Sequence, residues 1–275
     1  RTHEEAAVAA ARAAFVAGFG STSNLEAGRR YGVPTAGTSA HAFTLLHDDE
    51  RDAFAAQVAS LGTSTTLLVD TYDVAEAVRI GVDVAGPGLG AVRLDSGDLL
   101  AQAIAVRAQL DDLGARDTRI IVTSDLDEHA IAALAAAPVD GYGVGTNLVT
   151  GSGAPTAGLV YKLVAREGDD GVMVGVAKRS KDKLSVAGRK WALRRRNASG
   201  VAEAEVIGIG HPPVDDGDDQ PLLVDLVRDG DIVGREPLRG ARERHMTSLR
   251  ELPLSATQLS RGEPAIPTVY EQEDP

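Results

Sequence analysis

Between residues 65 and 148, short apolar runs alternate with helical patterns, and this alternation limits the fold more than any other feature. Strands and helices that alternate at intervals of roughly 20–30 residues indicate parallel βα units. The runs are almost continuously apolar, as expected when both faces of a strand are buried. The pattern predicts an α/β fold with a parallel sheet, and it fits a barrel or a doubly wound sheet equally well. The four predicted strands are Thr65–Asp73, Gly90–Asp98, Arg119–Asp125 and Asp140–Leu148.

Each predicted strand ends in polar residues, and in parallel βα folds the carboxyl ends of the strands form the functional edge. Asp70 and Asp95 follow the first two strands, and the third ends in Ser124 and Asp125. A single aspartate in this position most often caps the following helix. Three of them on consecutive strands, together with Arg93 in the second strand, favour a binding or catalytic site over a row of helix caps.

The fourth strand carries a loop of small residues, YGVGTN, which runs from Tyr142 to Asn147. Gly143 and Gly145 would let backbone amides approach an anion, and Thr146 adds a hydroxyl and Asn147 an amide as donors. The loop lacks the spacing and the lysine of a P-loop. Two interpretations stay open from the residues alone, a phosphate-binding loop and an ordinary tight turn between strand and helix.

His41 lies in GTSAHAF, after another turn of small residues. A lone histidine is more often a surface or capping residue than a catalytic one. If a carboxylate such as Asp70 orients one ring nitrogen, the other nitrogen can act as a nucleophile or base. The chain has no cysteine and no paired-histidine metal motif. Asp70, Asp95 and Asp125 could instead support a magnesium ion together with substrate phosphates.

Charge and composition argue against several classes of protein. The formal net charge of −12 is unfavourable for a nucleic-acid-binding surface. We find no apolar run long enough to cross a bilayer and no basic-then-apolar leader, and the lack of cysteine is compatible with a cytoplasmic enzyme. Arg194–Arg196 is more simply interpreted as a solvated strand or turn than as a phosphate site. Because the chain begins at Arg1 without a methionine, we expect its natural beginning to be missing.

The sequence pattern changes after Thr150, where short alternating strands are separated by glycine and aspartate turns. We therefore predict two domains. Residues 1–150 would form the α/β portion that carries the site, and residues 151–275 a mostly antiparallel, β-rich region packed against it. From Leu252 onward we expect an extended tail that wraps the surface.

Seven segments, taken together, resemble nicotinate phosphoribosyltransferases, particularly the bacterial forms, in the family's order and spacing. The resemblance extends from Arg1 to about Lys190 and is weaker beyond. It implies a type II phosphoribosyltransferase, with an incomplete α/β barrel beside a second domain, working as a homodimer. The segments are GSTSN, GTSAHAF, LVDTYD, VRLDSGDL, VTSDLDE, GYGVGTNL and YKLVA.

Such enzymes join nicotinate to the phosphoribosyl group of PRPP, giving nicotinate mononucleotide and pyrophosphate. ATP hydrolysis is coupled through a phosphohistidine, and Mg²⁺ assists the departing anion. The resemblance implies that His41 is the phosphorylated histidine, Asp70 its carboxylate partner, and Arg93 and Asp95 residues at the PRPP and base end of the site. Further substrate-binding positions would be Arg1, Thr22, Ser23, Ser96, Gly97, Ser124 and Asp125, and the 5′-phosphate loop would comprise Gly143, Gly145, Thr146 and Asn147.

Three alternatives stay open beside this one. In nicotinamide phosphoribosyltransferase an aspartate occupies the position of Ser23, where a carboxylate would repel nicotinate, so Ser23 favours nicotinate. A second alternative is a non-catalytic fragment that acts as a dimerisation partner, because the family's N-terminal domain, with an aromatic residue that stacks on the pyridine ring, is not in this chain. A generic barrel that binds phosphate is the third, and it would not need His41 together with Asp70.

Overall fold

The computed structural model describes residues 2–180 and 183–272, which form two compact units. The first unit comprises Arg1–Phe15 and Phe19–Thr156, and the second comprises Val16–Gly18 and Ala157–Pro275. The division into domains after residue 150 stays a prediction, because compactness alone does not show independent folding. No helix among the described residues is both long enough and apolar enough to span a membrane.

The first unit consists of helices and parallel strands that follow one another along the chain. Four helices precede the first strand, and a helix follows each strand. In chain order the elements are α1 (Glu4–Val16), α2 (Leu25–Tyr31), α3 (His41–Leu45), α4 (Glu50–Leu61), β1 (Thr66–Leu68), α5 (Val74–Ala85), β2 (Ala91–Leu94), α6 (Leu99–Asp112), β3 (Arg119–Val122), α7 (Glu128–Ala133), β4 (Gly141–Tyr142) and α8 (Thr146–Val149).

The four strands of the first unit form one sheet in the order β1-β2-β3-β4, and every pairing is parallel. The register pairs Leu68 with Arg93 and Leu94 with Val122. The carboxyl ends of all four strands therefore lie along one edge of the sheet, as the sequence predicts. The α/β class with a parallel sheet is confirmed, and the described sheet has four strands.

A continuous apolar core lies between this sheet and its helices. Leu67, Val92 and Ile120 contribute from neighbouring strands, and each is fully buried. The helices α4, α5 and α6 cover the sheet with buried side chains that include Phe54 and Leu110. Burial of this kind stabilises the sheet by roughly 25 cal/mol for each Å² of apolar surface removed from water. The strands that carry the polar residues at their carboxyl ends are thus anchored in a packed apolar core.

The four predicted strands are shorter in the structure, where β1 ends at Leu68, β2 at Leu94 and β3 at Val122. The segment GTSAHAF leads into two separate helices, α3 and α4, because Asp49 begins a new helix by accepting the backbone N–H of Asp52 at 2.8 Å. The strand predicted over Asp140–Leu148 is wrong beyond Tyr142, where the chain turns through Gly143 and Gly145 into α8.

The second unit is mainly β, with a four-stranded sheet in the order β11-β9-β10-β14 and several two-stranded pairs. The strand β14 pairs parallel to β10, so the chain from Leu252 contains a sheet strand and not only the extended tail predicted there. The helix α9 also was not predicted. The elements are β5 (Ala165–Glu167), β6 (Met173–Gly175), β7 (Arg179–Ser180), β8 (Lys183–Leu184), β9 (Lys190–Arg196), β10 (Ala202–Ile209), β11 (Gln220–Pro221), β12 (Val227–Arg228), β13 (Asp231–Ile232), α9 (Leu238–Arg250), a 3₁₀ helix (Leu254–Thr257) and β14 (Thr268–Gln272).

Candidate functional site

Helix capping at the carboxyl edge of the first unit's sheet is performed by aspartates other than the predicted site residues. Asp73 accepts the backbone N–H of Glu76 at 2.8 Å and so caps α5. Asp98 caps α6 and Asp127 caps α7 in the same way. Asp70, Asp95 and Asp125 lie two or three residues before these caps, so helix capping does not account for them.

Asp70 joins the ends of β1 and β2. Its side chain is only 3% exposed. The Oδ2 atom accepts the backbone N–H of Asp95 at 3.0 Å and the hydroxyl of Ser96 at 2.6 Å. The Oδ1 atom is buried and has no hydrogen-bond partner among the described residues. A buried carboxylate oxygen left without a donor is costly, so Asp70 is suited to receive a proton donor or a cation from outside the chain.

Arg93 is held in place by two threonine hydroxyls and a carboxylate. Its Nε donates to the Oγ1 of Thr123 at 2.9 Å, and its Nη1 donates to the Oγ1 of Thr38. Its Nη2 lies 3.2 Å from the Oδ1 of Asp95. The Thr123 hydroxyl donates to that same carboxylate oxygen, so it connects the arginine and the aspartate. The result is a partly buried ion pair with one defined geometry.

His41 lies beside the two carboxylates of β1 and β2, as predicted, but its hydrogen bond goes elsewhere. The Nδ1 atom is 3.1 Å from the hydroxyl of Thr71. The Nε2 atom is 3.9 Å from the Oδ1 of Asp70 and 3.9 Å from the Oδ2 of Asp95. These distances exceed hydrogen-bond range. The structure therefore brings His41 and Asp70 together without the direct hydrogen bond that the sequence interpretation required.

Sequence reasoning missed three residues of the site, whose hydroxyls make the contacts described above. They are Thr38, Thr71 and Thr123. Each belongs to a segment already singled out by its charged residue, in GTSAHAF, LVDTYD and VTSDLDE. A hydroxyl both donates and accepts, so it can join a charged group to a neighbour of either polarity. A threonine within three residues of the charged residue in each segment was the available signal.

A pocket opens at the carboxyl edge of the sheet, with a volume of about 210 Å³. Ser124 has a φ of +135°, a backbone conformation that residues other than glycine rarely adopt. Such strain persists where the surrounding structure imposes it and is frequent at binding sites. The pocket is lined by Asp95, Ser124, Asp125, Gly145 and Thr146, all of them predicted site residues.

Three other predicted residues have structural contacts. A Cβ on Gly143 would lie 2.5 Å from the Cγ2 of Thr123, so the glycine allows β3 and β4 to approach. The amide nitrogen of Asn147 donates to the carbonyls of Asp125 and Leu126, at 3.0 and 3.2 Å. Gly97 has a φ of +80° in the loop after β2. These residues shape the loops around the pocket.

The remaining predicted residues lie in or before the loop that leads into α2. Thr22 pairs with Thr35, and its hydroxyl accepts the backbone N–H of Asn24 at 3.1 Å. Ser23 is exposed, and the described contacts do not connect it to Arg93, Asp95 or the pocket. Arg1 lies outside the described residues.

Glu50, in the first turn of α4, carries a displaced pKa that the sequence did not reveal. It is only 7% exposed, and its Oε1 has no hydrogen-bond partner among the described residues. Burial, reinforced by the negative charges of Glu76 and Asp73, raises the pKa of Glu50 to about 7. The neutral carboxyl is therefore the form that this environment favours.

The chain is similar in sequence to known nicotinate phosphoribosyltransferases. The chain is 55% identical over 277 residues to nicotinate phosphoribosyltransferase pncB1 of Mycobacterium tuberculosis, covering 98% of this chain and 61% of that protein. It is 41% identical over 229 residues to the nicotinate phosphoribosyltransferase of Bacillus subtilis, covering 78% of this chain and 46% of that protein. The chain thus spans 61% or less of the length of these relatives. No family model matches the sequence.

Two solved structures share the fold. The crystal structure of human nicotinic acid phosphoribosyltransferase matches with a TM-score of 0.70 at 24% identity, covering 96% of this chain and 65% of that one. The nicotinate-nucleotide pyrophosphorylase of Pyrococcus furiosus matches with a TM-score of 0.69 at 23% identity, covering 91% of this chain and 63% of that one. The family predicted from the seven segments is confirmed over nearly the whole of this chain, which belongs to the nicotinate phosphoribosyltransferases.

Proposed function

We propose that this chain carries the phosphoribosyl-transfer site of a nicotinate phosphoribosyltransferase, which joins nicotinate to PRPP and releases nicotinate mononucleotide and pyrophosphate. The observation that carries the proposal is the pocket of about 210 Å³ that Asp95 and Asp125 line, next to the ion pair of Arg93 with Asp95. The names of the bacterial relatives support the same reaction.

The pocket would hold the ribose and its 5′-phosphate. Displacement of pyrophosphate from C1 of the ribose passes through a state with positive charge on the sugar. The carboxylates of Asp95 and Asp125 would favour that charge, and Asp95 is held in place beforehand by Thr123 and Arg93. Gly145 and Thr146 line the same pocket and would offer a backbone N–H and a hydroxyl to the phosphate.

Arg93 would bind the departing pyrophosphate. Two of its five N–H groups donate to threonine hydroxyls, which leaves three for Asp95 and an anionic ligand. Because the Thr38 and Thr123 hydroxyls hold the guanidinium, little side-chain entropy is lost when the anion binds. A charge-assisted contact of this kind is about twice as strong as a neutral hydrogen bond.

A magnesium ion fits the donor set at this edge. The buried Oδ1 of Asp70 lacks a partner, and the Oδ2 of Asp95 lies on the same side of His41. Mg²⁺ prefers carboxylate oxygens combined with substrate phosphates, so Asp70 and Asp95 would hold it. When bound, it would neutralise negative charge on the pyrophosphate.

His41 would take up the terminal phosphoryl group of ATP. A ring nitrogen would form the bond to phosphorus, the bond from phosphorus to the ADP oxygen would break, and ADP would leave with the electron pair. The ring is 42% exposed, so a nucleotide can reach it. Phosphorylation adds a charge of about −1.5 to −2 beside Asp70 and Asp95, which would change the affinity of the neighbouring site for PRPP and pyrophosphate.

The proposal also includes the barrel architecture, the cytoplasmic location and the oligomeric state. The strand order β1-β2-β3-β4, with a helix after each strand and no reversal of order among the described strands, supports a barrel over a doubly wound sheet. We therefore infer an incomplete α/β barrel. The enzyme would act on small-molecule substrates in the cytoplasm as a homodimer.

One pair of measurements tests the function. Calorimetry of the chain with PRPP and Mg²⁺ should show binding, and Arg93→Ala should weaken it at least tenfold, since the variant loses a charge-assisted contact. Arg116→Ala is the matched control, because Arg116 is exposed in the loop before β3 at the opposite edge of the sheet. PRPP binding that Arg93→Ala leaves unchanged would contradict the proposal.

The second measurement is product formation. Nicotinate, PRPP and Mg²⁺ are incubated with the chain, with and without ATP, and nicotinate mononucleotide is detected by mass spectrometry. Substituting nicotinamide distinguishes the acid from the amide as substrate. A chain that binds PRPP but forms neither mononucleotide supports the alternative of a non-catalytic fragment.

A further inference from the structure

We infer that Thr123, the residue directly after β3, is a positioning residue for the proposed transfer reaction. Its hydroxyl holds Arg93 and Asp95 in one arrangement, and its methyl group, seated against Gly143, fixes the direction of that hydroxyl. The inference rests on the proposed function, which assigns Arg93 and Asp95 to the site that binds PRPP. The pocket is lined by the next residue, Ser124, so Thr123 acts through the two charged side chains.

The Thr123 hydroxyl lies between two groups of opposite charge. Its oxygen accepts the Nε–H of Arg93 at 2.9 Å, and its proton goes to the Oδ1 of Asp95. A guanidinium can only donate and a carboxylate can only accept, so the direction of both hydrogen bonds is fixed. The carbonyl of Leu94 is a second acceptor at 3.5 Å, a longer and weaker contact. One hydroxyl therefore satisfies both charged side chains at once.

These contacts determine which atoms of the two charged side chains can meet a ligand. The Oδ1 of Asp95 is occupied by Thr123 and by the Nη2 of Arg93, so Oδ2 is the oxygen that Asp95 can offer to the sugar. Arg93 uses its Nε–H on Thr123 and one N–H of Nη1 on Thr38. With one N–H of Nη2 directed at Asp95, each terminal nitrogen keeps one N–H for an anion. Thr123 thereby sets the polar surface that PRPP would meet.

The methyl group of Thr123 explains why this residue is a threonine. The backbone N–H of Gly143 donates to the carbonyl of Val122 at 2.9 Å, which brings β4 alongside Thr123. A Cβ on Gly143 would lie 2.5 Å from the Cγ2 of Thr123, so the methyl group occupies the space that a larger residue would need. Because the methyl group and the hydroxyl share one Cβ, fixing the first also fixes the second. Gly143, predicted as part of a phosphate loop, thus makes room for Thr123.

Hydrogen exchange at the Arg93 side chain tests the hydroxyl's role without any substrate. The protein is labelled with ¹⁵N-arginine, and exchange of the Nε–H groups with water is measured by NMR. The Arg93 signal is assigned by its loss in Arg93→Lys. Thr123→Val replaces the hydroxyl by a methyl group and keeps the shape of the side chain, so the Nε–H of Arg93 should exchange at least tenfold faster. An unchanged exchange rate would overturn the inference.

Two further variants separate the hydroxyl from the stability of β3. Thr123→Ser keeps the hydroxyl and loses the methyl group, so its exchange rate should lie between those of the wild type and Thr123→Val. Thr118→Val is the matched control at the opposite end of the strand, where the Thr118 hydroxyl donates to the Leu89 carbonyl at 2.8 Å. It should leave the exchange of Arg93 unchanged. An equal rise in Thr118→Val, or a Thr123→Ser rate as high as that of Thr123→Val, would overturn the inference.

PRPP binding connects this arrangement to the site. In calorimetry with Mg²⁺, Thr123→Val should bind PRPP about tenfold more weakly than the wild type, as expected for one lost hydrogen bond to a charged group, whereas Thr118→Val should bind it normally. Faster exchange with unchanged PRPP binding would make Thr123 a purely structural residue and would also overturn the inference.

The two readouts distinguish this inference from the proposed function. If the wild type binds no PRPP, the proposed function fails, while the exchange rates still decide whether Thr123 holds Arg93. If the wild type binds PRPP and the exchange of Arg93 does not respond to Thr123, the inference fails alone.

Discussion

The two units of this molecule differ in where they place their apolar side chains. In the first unit the buried residues of three strands and three helices form one continuous core. In the second unit, a buried cluster of the described residues consists of Leu193, Ala204 and Val206. Leu159 and Tyr161 of that unit are 90% and 104% exposed. The first unit is therefore stabilised mainly by apolar burial, and the second depends more on polar contacts.

Those polar contacts include the arginine run of β9. Every arginine of the run has a carboxylate partner, so the predicted strand is confirmed, although its arginines are partly buried and not fully solvated, and no phosphate site is needed to explain them. Ion pairs that solvent reaches contribute about 0–1 kcal/mol each, much less than a buried leucine. The pairs are Arg194 with Glu205 at 2.9 Å, Arg195 with Asp219 at 3.2 Å and Arg196 with Glu251 at 3.1 Å.

The difference explains why the candidate site lies in the first unit. Functional side chains must hold their geometry, and elements anchored in a dense core hold it best. Leu94, fully buried, immediately precedes Asp95, and Val122, fully buried, immediately precedes Thr123. Each of these two site residues is therefore bonded directly to a residue of the buried core.

The largest expected effect tests this contrast directly. Leu94→Ala should lower the free energy of unfolding of the first unit by about 2–5 kcal/mol, because it removes a fully buried side chain. Leu193→Ala is the matched change in the second unit and should cost about half as much, since its cluster is small and can relax. Urea unfolding is followed by helix circular dichroism for the first unit and by the fluorescence of Trp191 in β9 for the second. Equal losses would refute the contrast.

A smaller effect is expected where core packing reaches the site. Gly143→Ala places a Cβ 2.5 Å from the Cγ2 of Thr123, so Thr123 must move and its contacts to Arg93 and Asp95 must weaken. We expect a loss of about 1–3 kcal/mol in stability, together with weaker binding of PRPP in calorimetry. Gly88→Ala meets no atom within 4 Å and is the control. If Gly143→Ala is destabilised but binds PRPP as the wild type does, the packing at Gly143 does not affect the candidate site.

The buried Glu50 predicts a pH dependence of the first unit. Its pKa is raised from 4.5 to about 7, so the folded state holds a proton that the unfolded state releases. Stability should therefore fall as the pH rises between about 4.5 and 7, by about 1–2 kcal/mol. Glu50→Gln should remove this decline, and Asp52→Asn, exposed in the same helix, should retain it. The test is urea unfolding at pH 5 and pH 8, and a wild-type profile matching that of Glu50→Gln would contradict it.

The smallest effect compares the two residues other than glycine that have positive φ within residues 2–180 and 183–272. Ser124, in the pocket, has a φ of +135°, whereas Asp229, in the hairpin between β12 and β13, has a φ of +52°. Aspartate tolerates the left-handed helical region in such turns. Ser124→Gly should therefore raise the free energy of unfolding by about 1 kcal/mol, and Asp229→Gly should leave it nearly unchanged. Thermal unfolding measures both, and equal changes would mean that Ser124 stores no strain.

Much of the first unit could be predicted because its signals are local. The apolar runs of β1 to β3 and the pattern of α6 depend on residues a few positions apart, so periodicity reveals them. The charged residues at the strand ends were found in the same way. The end of β4 was predicted wrongly, because Gly143 is there for its approach to Thr123 on a neighbouring strand, and periodicity does not register such a contact.

The sequence by itself thus determined the parallel sheet, the edge where its strands end and the charged residues along that edge. Only the tertiary structure decided which atoms meet. The hydroxyls of Thr123 and Thr38 reach Arg93 across 30 and 55 residues of chain, and Thr71 reaches His41 across 30. The strand β14 likewise pairs with β10 from the far end of the second unit. Periodicity encodes which face of an element is buried, but a hydrogen bond between elements depends on strand register and side-chain direction, which are settled only when the elements pack.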